Sequence, residues 1–372
     1  MDEAAVADEV LVAEGVRKSY GDVVALDGVS LAVPEGEVFG LIGPNGAGKT
    51  TLVRALTGTT TVEGTVSVLG DPPDEVDPQR LGLLPQSFAP ASRLTPRELL
   101  RYYAGLYESA RDPDAVLRDV GLSDDADRWY EQLSGGQQRR LCVGTALVND
   151  PDVLFLDEPT TGIDPAGRRA MWRLVEDLAD GGTTVLLTSH SMAEVERLAD
   201  RVGLVNEGEL VAVGEPAVLV AEHGGDSRLV VRLADEASPT DPSPDAGEAD
   251  DTGGVGDAGG PAIERAGRAL VDAGYEVAAD AEAGELVVRA VAATDLGAAV
   301  DALESSGASY EALVWRQPGL EDVYLRLTGE AFEEELAAGV GGSFDGDTGE
   351  DGPTEREVPA PGGATTGEGD GR

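Results

Sequence analysis

The stretch Gly43-Pro44-Asn45-Gly46-Ala47-Gly48-Lys49-Thr50-Thr51 follows the apolar run Val38–Ile42 and opens a helical segment, Lys49–Leu56. A strand, a glycine-rich turn and a helix, in that order, are what a phosphate-binding loop requires. The glycines let the backbone curl until successive N–H groups face an anion, and the helix N-terminus adds its dipole. Lys49 can reach the β and γ phosphates, and the Thr50 hydroxyl can ligate Mg2+. Lys49 is one of only two lysines in the 372 residues, the other being Lys18, which weighs against a plain strand-to-helix turn.

Farther along the chain, Val153-Leu154-Phe155-Leu156-Asp157-Glu158 is a buried-strand pattern that ends in two carboxylates. Such a strand delivers them to the sheet edge where phosphates lie. Asp157 suits Mg2+, and Glu158 suits the general base that polarises an attacking water. Alone, the pair fits an acidic cap before Pro159 equally well; beside a phosphate loop it reads as catalytic. Residues 184–188 form a further buried-strand run, and 165–178 and 191–198 have helical spacing. The alternation over 10–222 predicts an α/β fold with a mostly parallel sheet covered on both faces. Strand signals vanish within 87–147, where Leu99, Leu100, Tyr103, Leu106, Val116, Leu117 and Val120 predict a helical insertion.

The third signal is Leu133-Ser134-Gly135-Gly136-Gln137, followed by Gln138-Arg139-Arg140. A serine and two glycines at a helix start offer a hydroxyl and backbone N–H groups to an anion. The phosphate loop, then this pentapeptide, then a strand ending Asp-Glu, resembles the nucleotide-binding subunit of an ABC transporter over residues 10–222. The resemblance implies a P-loop NTPase fold with an ABC-type helical insertion, and ATP and Mg2+ at the site. ATP would lie against Gly43 to Thr51, with Tyr20 stacked on adenine. Gln86 would touch Mg2+ and the attacking water, His190 the γ-phosphate, and Asp164 the crossing between two subunits. Ser134, Gly135, Gly136 and Gln137 would close on the ATP of a second subunit, so that two ATPs join a homodimer or heterodimer head to tail. His223 matches nothing in the pattern, and Cys142 reads as a small buried side chain.

Residues 228–330 read as a small α+β domain. Its strands are expected at Arg228–Leu233, 275–279, 285–290 and 310–315, with helices around Ile263 to Ala273 and Leu296 to Leu303. The order β-α-β-β-α-β matches a ferredoxin-like unit. Within it, 235–261 is an acidic Pro, Gly and Ser loop; 340–372 is a disordered acidic tail and 1–9 a flexible start by composition. The stretch from Gln317 to Gly329 resembles the C-terminal extension of ABC exporter ATPases of the antibiotic-resistance, sodium and copper-processing group. Export is therefore expected.

Composition narrows the partners. There are 27 Lys plus Arg against 71 Asp plus Glu, a formal charge of −44. Without a basic run the chain is not expected to bind nucleic acid by neutralising phosphates, nor anionic lipid. No apolar stretch approaches the ~18 residues that span a bilayer. Residues 1–9 lack the basic n-region of a signal peptide, and a single cysteine makes no intrachain disulfide. A cytoplasmic protein at the inner face of the membrane is expected, attached there only through a separate transmembrane permease. The two acidic segments carry eight acids without a base and eight against two arginines, so about two-thirds of the charge lies elsewhere. An acidic, lysine-poor chain resembles proteins of halophilic, notably haloarchaeal, cytoplasms, where molar salt screens self-repulsion. Two rivals remain: a soluble ABC ATPase outside transport, and a regulatory ATP-binding partner in a heterodimer. The first usually carries two cassettes or a long coiled coil, absent here; intact Glu158 and His190 weigh against the second.

Overall fold

The computed structural model describes residues 9–84, 89–234, 260–280 and 285–329. The start before Glu9, Gln86, the acidic loop up to Gly260 and the acidic tail lie outside the described residues. The chain runs β1 (Glu9–Tyr20), β2 (Val23–Pro34), β3 (Val38–Ile42), α1 (Lys49–Leu56), β4 (Glu63–Val68), β5 (Leu81–Leu83), α2 (Pro96–Ala104), α3 (Pro113–Asp119) and α4 (Gly135–Thr145). It continues through β6 (Val153–Asp157), α5 (Pro165–Asp180), β7 (Thr184–Ser189), α6 (Met192–Leu198), β8 (Arg201–Asn206), β9 (Glu209–Gly214) and α7 (Pro216–Leu219). Then come β10 (Arg228–Leu233), α8 (Gly260–Asp272), β11 (Glu276–Asp280), β12 (Glu285–Arg289), α9 (Leu296–Ser305), β13 (Tyr310–Arg316) and α10 (Leu320–Thr328).

Six strands form the central sheet in the order β5-β6-β7-β3-β8-β9, parallel except for the β8–β9 pair. Every residue of β3, β6 and β7 is buried, because helices or a second sheet cover both faces. Alternate side chains therefore enter two cores. Phe39, Leu41, Phe155 and Leu186 join Leu52 and Leu56 of α1 and Leu11, Val16 and Leu31 of an antiparallel sheet. Val38, Ile42, Leu154, Leu156, Val185 and Leu187 join the helices of the other face. Clamped between two sheets, α1 holds the turn in front of it at the C-terminal edge of β3.

The mostly parallel sheet expected over 10–222 is present, and the antiparallel sheet β2-β1-β4 is an addition to it. Register shifts along β1, among them one between Ala13 and Val16, break the two-residue period by which strands are read. The helical insertion is present as α2 to α4, with Leu99, Leu100, Val116, Leu117 and Val120 in one core. Leu106 lies beyond α2 and is exposed.

The four strands β11-β12-β10-β13 are paired antiparallel throughout, the ferredoxin-like order. Leu229, Val231, Leu286 and Val288 pack against Ile263, Ala266 and Leu270 of α8 and Leu303 of α9. The last helix leaves this core. Leu320, Val323 and Tyr324 of α10 lie in the core of the six-stranded sheet's helical face. The Leu320 N–H donates to Glu196 Oε1 at 2.5 Å, and Tyr324 Oη donates to Asn206 Oδ1 at 2.8 Å.

Candidate functional site

The turn from Gly43 to Gly48 approaches neighbouring backbone so closely that only glycine fits at its two ends. A Cβ on Gly43 would lie 2.2 Å from the Val205 carbonyl oxygen, and one on Gly48, at φ +111°, 2.4 Å from that of Ala25. The first N–H groups of α1 have no intrahelical acceptor and face into the turn. Lys49 is 6% exposed, and its Nζ donates to the carbonyls of Gly43 (2.5 Å) and Pro44 (3.0 Å). Burial pushes its pKa down, while Glu158 and Asp157 pull the other way. A buried ammonium held, among the described residues, by two carbonyls is suited to a phosphate.

Asp157 ends β6. Its Oδ1 accepts from the Thr188 hydroxyl of β7, and its Oδ2 from Thr50 Oγ1 at 3.4 Å. One carboxylate and one hydroxyl, completed by water and phosphate oxygens, form a hard-oxygen set of the kind Mg2+ takes. Glu158 follows in the left-handed region, φ +47°, with its N–H donating to Thr188 Oγ1 at 3.1 Å. Its Oε2 accepts from Thr161 Oγ1 at 3.2 Å and lies 3.7 Å from His190 Nδ1. His190 stands just past β7, between Ser189 and Ser191. Ser189 Oγ accepts from the Ser191 N–H and donates to Glu194, a carboxylate 1% exposed that also accepts from Trp172 Nε1. Thr50, Asp157, Glu158, Thr161 and Arg139 line one cavity of about 340 Å³.

Ser134 caps α4. Its Oγ accepts from the Gln137 N–H, and Gln137 Oε1 accepts from the Ser134 N–H, which is a capping box. Among the described residues the hydroxyl proton and the N–H groups of Gly135 and Gly136 have no acceptor and can serve one from outside. Among the described residues, no hydrogen bond or ion pair joins 134–137 to 43–51. Asp164 caps α5, with Oδ2 accepting from the Ala166 N–H at 3.2 Å. Tyr20 ends β1, 46% exposed, with Lys18 Nζ 5.2 Å from its ring centroid. A hydrogen bond with Thr60, seconded by Thr51 and Arg54, lowers the pKa of its phenol. Gln86 falls outside the described residues. Cys142 is buried, and burial raises its thiol pKa to about 11.

Sequence reading missed Thr188, Thr161, Glu194 and Arg139. Thr188 and Glu194 carried one signal each: a hydroxyl inside an apolar strand, and a carboxylate four residues past the histidine.

An ABC transporter family model matches residues 26–161. The daunorubicin resistance ATP-binding protein DrrA3 of Streptomyces coeruleorubidus is 37% identical over 337 residues, 87% of this chain and 97% of the relative. A Nod factor export ATP-binding protein I of Burkholderia orbicola is 43% identical over 219 residues, 56% of this chain and 72% of the relative. A crystal structure of the ADP conformation of MJ1267, an ATP-binding cassette of an ABC transporter, aligns with a TM-score of 0.52 at 27% identity. It covers 58% of this chain and 94% of that one. No described helix is long and apolar enough to cross a membrane. A relative matched over 97% of its length, and a solved cassette of the same fold, place this chain in the ABC transporter family, among its ATP-binding, ATP-hydrolysing subunits.

Proposed function

We propose that this subunit powers an exporter by hydrolysing ATP between two head-to-tail cassettes, with the transport path in a separate transmembrane permease. The observation that carries it is the meeting of Lys49, Thr50, Asp157, Glu158 and His190 at the C-terminal edge of β3, β6 and β7. Export is supported by relatives named for resistance and export. Docking on the permease would hold the subunit at the inner membrane face.

The loop from Gly43 to Thr51 binds the phosphates, and Lys49 exchanges its two carbonyls for the β and γ oxygens. Thr50 and Asp157, with Gln86, would hold Mg2+, which supplies charge neutralisation on the phosphates. Glu158 accepts the proton of the attacking water, and His190 beside it orients the γ-phosphate. Tyr20 offers its exposed ring to adenine. Among the described residues no hydrogen bond ties Ser134 to Gln137 to this loop, so their donors would serve the ATP of the second subunit, with Asp164 at the crossing. Paired subunits each carrying Glu158 and His190 would have two competent sites, which favours this reading over a regulatory partner.

Glu158→Gln tests it. The variant keeps size and hydrogen bonding but loses the base, so turnover should fall about 10²–10⁴-fold while ATP still binds. The undissolved sandwich should then appear as a dimer by light scattering with Mg-ATP. Each chain carries −44, so the dimer should persist in molar KCl, where the Debye length is ~3 Å, and weaken as salt falls. A variant that binds ATP yet stays monomeric at every salt concentration would sink the homodimer.

A further inference from the structure

Arg139 lies on α4, two residues past Gln137 of the capping box, and its side chain crosses to the loop after β6. Nη2 donates to the carbonyl oxygens of Asp157 at 2.8 Å and Glu158 at 2.7 Å, and Nε donates to that of Pro159 at 3.2 Å. These three consecutive carbonyls frame the peptide planes on both sides of Glu158. Glu158 needs such a frame. Its φ of +47° is a conformation a residue with a Cβ holds only when its surroundings dictate it. Thr188 fixes its N–H side, and Arg139 fixes its carbonyl side. The planar guanidinium supplies several donors in one rigid fork, which a flexible ammonium does not.

A second contact joins the same two elements. A Cβ on Gly136 would lie 2.8 Å from Ile163 Cγ2 and 3.3 Å from Asp164 Oδ1. The start of α4 is therefore pressed against the far end of the loop whose near end Arg139 holds. An 11-residue helix moves as a body, so its N-terminal turn and Arg139 shift together. We propose that Arg139 is a positioning residue that sets the Glu158 carboxylate and links each chain's Glu158 loop to its own Ser134–Gln137 turn, coupling the two ATP sites of a dimer. The Ser134–Gln137 turn reports whether the partner's ATP is present; the Glu158 loop acts on the chain's own ATP. This rests on the proposed roles of Glu158 and of the head-to-tail dimer.

The test is steady-state ATP turnover by the full chain in molar KCl, against ATP concentration, for wild type, Arg139→Met, Arg139→Lys and Glu158→Gln. Affinity for a fluorescent ATP analogue is measured alongside. Wild type should show a Hill slope above one. Arg139→Met keeps the stem and loses the donors, so kcat should fall about 10–100-fold, the scale of an ångström-level misplacement. Its analogue affinity should stay within about twofold, because a residue that positions the base acts on the transition state and not on ground-state binding, and its Hill slope should drop to one. Arg139→Lys should recover part of kcat. Wild-type kcat and slope in Arg139→Met would overturn the proposal, as would a loss of affinity parallel to kcat that Lys does not rescue. If Arg139→Met does not fold, Arg139→Gln carries the same expectation and the same refutation. Full turnover in Glu158→Gln would sink the base assignment instead, while an inactive Glu158→Gln beside a fully active Arg139→Met sinks only this inference.

Discussion

In the six-stranded sheet, Lys49, Asp157, Thr188 and Glu194 sit in the interior at or just past the strand ends, each held by a hydrogen bond. In the four-stranded sheet the described interior is wholly apolar, and its pairs Arg232–Glu285 and Arg289–Glu276 involve arginines about 60% exposed. Buried charge costs desolvation that partners only partly offset. The first sheet bears that cost where its chemistry lies. The second has the composition of an element kept for its shape. The two should answer mutation in opposite ways, one through turnover and one through stability.

The largest effect expected is at Lys49. Lys49→Ala should lower ATP turnover by roughly 10³-fold or more, since it removes the one ammonium aimed at the phosphates in a low-dielectric site. Thermal stability without nucleotide should hold or rise, because the native ammonium is buried at a cost that its lowered pKa reflects. Calorimetry beside a phosphate-release assay checks both. Retained turnover would undo the contrast at its root.

Leu270→Ala should do the reverse. Leu270 is fully buried between α8 and the four-stranded sheet. Its truncation should destabilise that sheet by about 2–5 kcal/mol. Hydrogen exchange should accelerate in β10 and β12 and not in β3 or β6, with turnover within about twofold, as expected of a site with no shared partners. A collapse of turnover would show that the small sheet is part of the catalytic cycle.

Legibility followed the same division. The phosphate loop and the Asp157–Glu158 strand stood out because parallel strands buried on both faces become unbroken apolar runs. The antiparallel sheet stayed hidden because the bulges of β1 shift its alternation. The four-stranded unit was readable, since β10 and β12 alternate cleanly between buried and open positions. Arg139 drew no assignment from the run Gln138-Arg139-Arg140; its acceptors are carbonyls, which no residue type announces. The spacing of Leu320, Val323, Tyr324 and Leu327 puts apolar residues on one face of α10. What it packs against was not legible, because amphipathic spacing marks a buried face without naming the neighbour.

That last point yields the smallest effect, and the one that separates sequence order from packing. Tyr324 follows the four-stranded sheet in the chain, yet it is 1% exposed in the core of the other sheet, with its hydroxyl donating to Asn206 Oδ1 at the end of β8. Tyr324→Phe keeps the ring and removes the hydroxyl that donates to Asn206 Oδ1 and lies 3.5 Å from the Val205 carbonyl oxygen. Asn206 is only half-buried and can turn to water, so the loss should be the net worth of a bond, about 0.5–1.5 kcal/mol, and not that of a stranded polar group. The direction is less informative than the place. If α10 belongs with the cassette, exchange should quicken in α6 and β8 and leave β10 and β12 unchanged, the opposite of Leu270→Ala. The two substitutions lie in separate cores, so their stability losses should add within about 0.5 kcal/mol. A double variant that departs from additivity by more would mean that α10 transmits strain between the two sheets, and the small domain would then be a lever on the cassette.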